Sequence, residues 1–76
     1  MNTELEMIRN ITAEVLQTDP ALITPDASFR HDLFLYSTDI QALILYAETE
    51  FDVRIPDERV TDIDSVRDLW EEISQA

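Results

Sequence analysis

The sequence predicts an all-α domain, a four-helix bundle with a long loop between the first two helices and a short third one. Three observations predict it. Apolar residues recur at i, i+3, i+4 and i+7 in two separate stretches, and Leu5, Ile8, Ile11, Val15 and Leu16 keep helical spacing in a third, the pattern of a helix face rather than of a strand. The 76-residue chain contains no glycine, where average usage near 7% would put about five, so the Asn-Gly and Asp-Gly turns of short hairpins cannot be written. It also carries 45% hydrophobic residues, enough to build a core despite a formal charge of −12.

The first helix is expected over residues 2–17. Leu5, Ile8, Ile11, Val15 and Leu16 form its apolar face, Asn2 or Thr3 is available as N-cap, and Glu4 and Glu6 suit the positive end of the dipole. Thr18-Asp19-Pro20 ends it, because proline disfavours helix in the residue before it. Residues 18–36 read as one long connection punctuated by Pro20 and Pro25, with a turn of helix at Pro20 to Ile23. Leu22, Ile23, Phe29, Leu33, Phe34 and Leu35 are too apolar for a solvated linker, so the loop is expected to pack back on the bundle.

A second helix is expected from Ser37 to Phe51. Ile40, Leu43, Ile44, Ala47 and Phe51 make one stripe, while Leu45 and Tyr46 fall off it and suggest a second buried or partner-facing edge. Asp52 to Ile55 is extended and Pro56 suits a helix's first turn, leading into a short third helix near Asp57 to Thr61. The fourth begins at Ser65, with Asp68 three residues after that cap and Val66, Leu69, Trp70 and Ile73 on its face. Residues 1–76 are read as a single domain. A domain of this size leaves no room for a deep cleft between lobes.

Composition removes several function classes. There are 17 acidic side chains against 5 basic ones, all arginine, so nucleic acid phosphates and anionic lipid heads are repelled. With no cysteine there is neither thiol chemistry nor a zinc site of the Cys kind. With no glycine there is no phosphate-cradling loop and no EF-hand loop, leaving only weak divalent binding among Asp57, Glu58, Asp62 and Asp64. No membrane span and no signal peptide is legible, and a cytoplasmic monomer is expected. The one histidine, His31, lies near Ser37, Asp32 and Asp39, but a short loop offers no shielded pocket for a triad, and no catalytic residue is expected.

Ser37 carries more information. It stands where a loop meets an amphipathic helix. It reads either as an ordinary N-cap or as an exposed hydroxyl beside the unpaired N–H groups and positive dipole end that suit an attached phosphate. The run Asp32-Leu33-Phe34-Leu35-Tyr36-Ser37-Thr38-Asp39 is followed by Leu43, Glu48, Glu50, Phe51, Asp52, Ile55, Pro56, Asp57 and Glu58. Joined by ungapped spacing over essentially the whole chain, these segments resemble the acyl carrier proteins, which read D-L-G-x-D-S-L-D, then E-x-E-F-D, then I-P-D-E.

The resemblance implies a carrier with no catalysis of its own. A separate phosphopantetheinyl transferase would move 4′-phosphopantetheine from coenzyme A onto Ser37, and the arm's thiol would carry acyl intermediates as thioesters for fatty-acid, polyketide or related biosynthesis. It also implies a docking surface of Asp39, Glu48, Glu50, Asp57 and Glu58, facing basic patches on acyl-transferring and synthase enzymes. Ile40, Leu43, Ile44, Ile63 and Leu69 are core residues that could also line a shelter for an acyl chain. The chain departs from the family pattern at the site: Tyr36-Ser37-Thr38 stands for D-S-L, Phe34 for glycine, and Ala42 and Thr49 for two further acids. The alternative reading is therefore an unmodified binding or regulatory module acting through its acidic second helix.

Overall fold

The computed structural model describes residues 3–75. Four α-helices follow in order: α1 (Thr3–Leu16), α2 (Ser37–Phe51), α3 (Asp57–Val60) and α4 (Val66–Gln75), with a single 3₁₀ turn at Pro20–Leu22 inside the long loop. α1 packs against α2 and α4, α2 also meets α4, and the 3₁₀ turn lies against α1. Described residues span 28 × 27 × 18 Å.

The expected apolar faces converge on one core. Ile8 and Ile11 of α1, Ile40, Leu43, Ile44 and Ala47 of α2, and Val66, Leu69 and Ile73 of α4 are all buried, joined by Ile55 and Ile63 from the connections. Trp70 and Phe51, read as face residues, sit half-buried at the rim. Thr12 is the polar intruder, fully buried, and its hydroxyl donates to the Ile8 carbonyl at 2.8 Å, so nothing polar is stranded there.

α1 ends earlier than expected. Gln17 turns left-handed (φ 56°), and the Thr18 N–H donates back to the Ala13 carbonyl at 2.9 Å, so the chain leaves the helix before Thr18-Asp19-Pro20 is reached. At the other end Thr3 is already helical, and Asn2 lies outside the described residues. Beyond α1, the Asp19 carboxylate accepts from the Ala21 N–H and starts the 3₁₀ turn, with Pro20 at its first position.

The long loop does pack back, through four of its six apolar residues. Ile23 and Phe29 are fully buried and Leu33 and Leu35 half-buried, whereas Leu22 and Phe34 remain 70% and 79% exposed. Asp64, just before α4, clips the loop in place. Its backbone carbonyl accepts from the Phe29 N–H at 2.6 Å, and its carboxylate accepts from the Ser28 hydroxyl, the Arg30 N–H and the Arg30 guanidinium. Burial pushes the Asp64 carboxyl up, but those hydrogen bonds and the Arg30 charge outweigh it and hold it below the usual aspartate range. Nearby, Arg67 pairs with Asp26, and its N–H donates to the Pro25 carbonyl at 3.0 Å.

α4 starts as the sequence suggests. The Ser65 hydroxyl accepts from the Asp68 N–H at 3.1 Å, and the Asp68 carboxylate reaches back to the Asp64 N–H at 2.9 Å.

A serine at the head of α2

After one left-handed residue, Phe34 (φ 57°), Leu35 and Tyr36 lead the loop into the head of α2. Glycine adopts that conformation without a Cβ penalty, which is a physical reason for the glycine the acyl carrier pattern has here. Leu35 is tied by its N–H to the Phe29 carbonyl at 2.8 Å, and the helix begins two residues later.

Ser37 is not the N-cap. Tyr36 holds that position in an extended conformation (φ −87°, ψ 164°), and its carbonyl accepts the first helical hydrogen bond, from the Ile40 N–H at 3.1 Å. Asp39, in the first turn, supplies the cap from inside the helix, its carboxylate accepting from the Tyr36 N–H at 3.0 Å. The Tyr36 phenol makes no cap hydrogen bond. Ser37 is therefore the first helical residue, exposed, with its hydroxyl taking no part in the cap. A phosphoryl group on that oxygen would sit at first-turn N–H groups without intrahelical acceptors and at the positive end of the helix dipole. The residues present thus fit a phosphate-linked arm.

The five acids expected to face partners divide into two groups. Asp39 and Glu48 are half-buried and spent locally: Asp39 on the Tyr36 N–H, and Glu48 on the N–H of the buried Ile55 at 2.7 Å, which pins the turn after α2 to the helix. Glu50, Asp57 and Glu58 are exposed. None of the five joins the ion pairs that occupy Arg9, Arg30, Arg59 and Arg67. α2 itself contains no basic residue.

Beside α2 an open groove of about 730 Å³ runs toward α3. Of the residues expected to shelter a chain, Ile44 lines it; Ile40, Leu43, Ile63 and Leu69 face inward as closed core, 0–1% exposed. The other walls mix apolar Leu45, Val53, Ile55 and Val60 with polar or charged Gln41, Glu48, Thr49, Arg54, Asp57 and Thr61. Gln41 lies one helical turn beyond Ser37, so the groove opens just past the serine. Its makers were missed because Leu45 and Gln41 fall off the buried stripe, and only the path of the α2–α3 connection shows that they line a wall. Tyr46, the other residue off that stripe, is 40% exposed and donates its hydroxyl to Glu14 of α1.

His31 contributes its backbone N–H to the Ser28 hydroxyl, inside the loop clip. Among the described residues no group of three His, Asp or Glu side chains comes together to hold a metal, and Asp64 is committed to Ser28 and Arg30. No helix among them is long and apolar enough to cross a membrane.

An acidic helical bundle that lifts an uncommitted serine to the head of its second helix has the architecture of a carrier domain. The family model described as a phosphopantetheine attachment site matches residues 6–73. The chain is 40% identical to an acyl carrier protein of Thermosynechococcus vestitus over 70 residues, covering 92% of this chain and 86% of that one. It is 41% identical to one from Treponema pallidum over 64 residues, covering 84% and 82%. Against one from Rubrobacter xylanophilus it is 42% identical over 64 residues, covering 84% and 79%. The chain belongs to the acyl carrier protein family, whose domain is the attachment site of phosphopantetheine.

Proposed function

We propose that the chain carries acyl intermediates on a 4′-phosphopantetheine arm attached at Ser37. The observation that supports this most is the division of labour at the head of α2. Asp39 caps the helix, so the Ser37 hydroxyl is exposed and outside the cap. A serine retained only for capping would sit at the N-cap, where Tyr36 sits instead.

The arm supplies a thiol that holds cargo as a thioester. This chain's own residues do the rest by presentation. The loop clip at Asp64 and the cap at Asp39 hold Ser37 at a defined point, and the first turn of α2 favours the phosphodiester's charge. Glu50, Asp57 and Glu58 form the exposed part of an acidic docking face, which speeds encounter with basic enzyme surfaces and orients the carrier on them. Asp39 and Glu48 belong to that face as charges, while their hydrogen bonds shape it. The groove beginning at Gln41 shelters part of the cargo between visits. Bond making and breaking is left to the transferase and to acyl-transferring or synthase enzymes of fatty-acid, polyketide or related biosynthesis, met by a monomeric carrier in the cytoplasm.

The test is incubation with coenzyme A and a broad-specificity phosphopantetheinyl transferase, followed by peptide mapping, with Ser37→Ala as control. One phosphopantetheine on the peptide containing Ser37, absent from the control, supports the reading. No addition with any transferase, including that of the source organism, would leave an unmodified acidic docking module.

A further inference from the structure

Two aromatic side chains precede the serine, and the fold uses neither. Phe34 is 79% exposed and Tyr36 78% exposed. Tyr36 serves the helix through its backbone alone, donating its N–H to Asp39 and accepting at its carbonyl from Ile40. Phe34 is held in the left-handed region at φ 57°, against the clash between Cβ and backbone, and its solvated ring returns little packing to offset that. Strain kept without structural return, beside a functional atom, points to use by something outside the chain.

The position says what that is. An enzyme acting on the Ser37 hydroxyl must lie against the residue before it and the loop that delivers it. We infer that Phe34 and Tyr36 form an aromatic recognition pair that selects the transferase delivering the arm, an enzyme whose docking surface has an apolar recess rimmed by arginine or lysine. The inference rests on Ser37 being the attachment serine. The recess follows from the two exposed rings. The basic rim follows from charge: Asp32 and Asp39 flank the rings, α2 has no basic residue, and aromatic faces themselves attract guanidinium groups. A transferase shaped for the family pattern expects an acid at the position of Tyr36 and glycine at that of Phe34. It meets two bulky rings here, so the pair both attracts one enzyme and repels another.

The test measures kcat/KM for phosphopantetheine loading by intact mass, with coenzyme A, on the wild type, Phe34→Gly, Tyr36→Asp and the double variant. Each is loaded by a broad-specificity transferase and by the transferase of the source organism. Folding is checked by thermal melts, where both substitutions favour the native backbone: glycine tolerates the left-handed residue, and aspartate is a good N-cap. The double variant is expected to gain roughly tenfold or more with the broad-specificity enzyme and to lose roughly tenfold or more with the organism's own. Rates unchanged with both enzymes, on a wild type that loads, overturn the pair and leave the carrier reading standing. A parallel gain or loss with both enzymes also overturns it, since a general structural effect gives that. A wild type loaded by neither enzyme removes the carrier reading and the pair with it.

Discussion

Gln17, Phe34 and Asp52 take left-handed backbone conformations with φ of 56°, 57° and 53°, the work a glycine would normally do. Asp52 tolerates this, being short and polar, and ends α2 with its N–H on the Glu48 carbonyl. Gln17 does not share that tolerance. Relief of about 1–2 kcal/mol of left-handed strain exceeds the about 0.4–1 kcal/mol of extra unfolded-chain entropy that glycine brings. Gln17→Gly is therefore expected to stabilise the domain by about 0.5–1 kcal/mol in urea unfolding. Asp39 and Glu48 carry the opposite prediction. Asp39→Ala removes the cap on Tyr36 and costs about 1 kcal/mol. Glu48→Ala strands the N–H of buried Ile55 and costs about 1–3 kcal/mol, while Glu48→Gln, which keeps an acceptor, costs less. Glu48→Gln thereby separates charge from structure at a position proposed for docking: weaker partner binding with near-normal unfolding assigns the charge to the partner. From sequence Ser37 reads equally as an N-cap or as an exposed hydroxyl, and the backbone path decides between them: Tyr36 holds the N-cap and Asp39 caps the helix from within.

Helix faces were legible because burial repeats with the helical period, and α2 spans Ser37–Phe51 as its spacing predicts. The loop was legible in outline only. Its apolar residues predicted packing against the bundle, but the clip joins Ser28 and Arg30 to Asp64 across more than thirty residues, and no local pattern announces such a partner. The Asp64 carboxyl is held below the ordinary aspartate range of about 3.9, so the folded state binds its proton more weakly than the unfolded chain does. Its contribution to stability is complete above that ordinary value and is lost as pH falls through the lower folded value. Asp64→Asn is thus expected to destabilise the domain at neutral pH, with the difference from wild type shrinking in acid. A difference in melting temperature that is the same at pH 7 and pH 3 would contradict this. Because the clip steadies the approach to α2, the same substitution is expected to raise amide exchange at Leu33 and Leu35 before the helical core opens.

Across the whole molecule the net charge of −12 sets both stability and encounter. Four of the five arginines are paired with acids, and those pairs are exposed enough to contribute little each, so self-repulsion among the remaining carboxylates is poorly offset. Added salt or divalent cations are expected to raise the melting temperature, by about 4–8 °C for each kcal/mol of repulsion screened. A melting temperature flat across a salt series would contradict that. The same screening is expected to slow docking to a basic enzyme surface, because the exposed acids act mainly on association. Family membership was legible from the joint spacing of the Ser37 segment and the acids after it, and the fold agrees. The groove beside α2 was not, since its walls come from residues that no single helix face unites. The most direct measurement is the intact mass of the protein purified from its source organism, before and after hydroxylamine. A carrier shows one phosphopantetheine on Ser37 and, in part of the population, a further acyl mass that hydroxylamine removes. An unmodified chain throughout, from cells whose other carriers are loaded, would contradict the carrier mechanism.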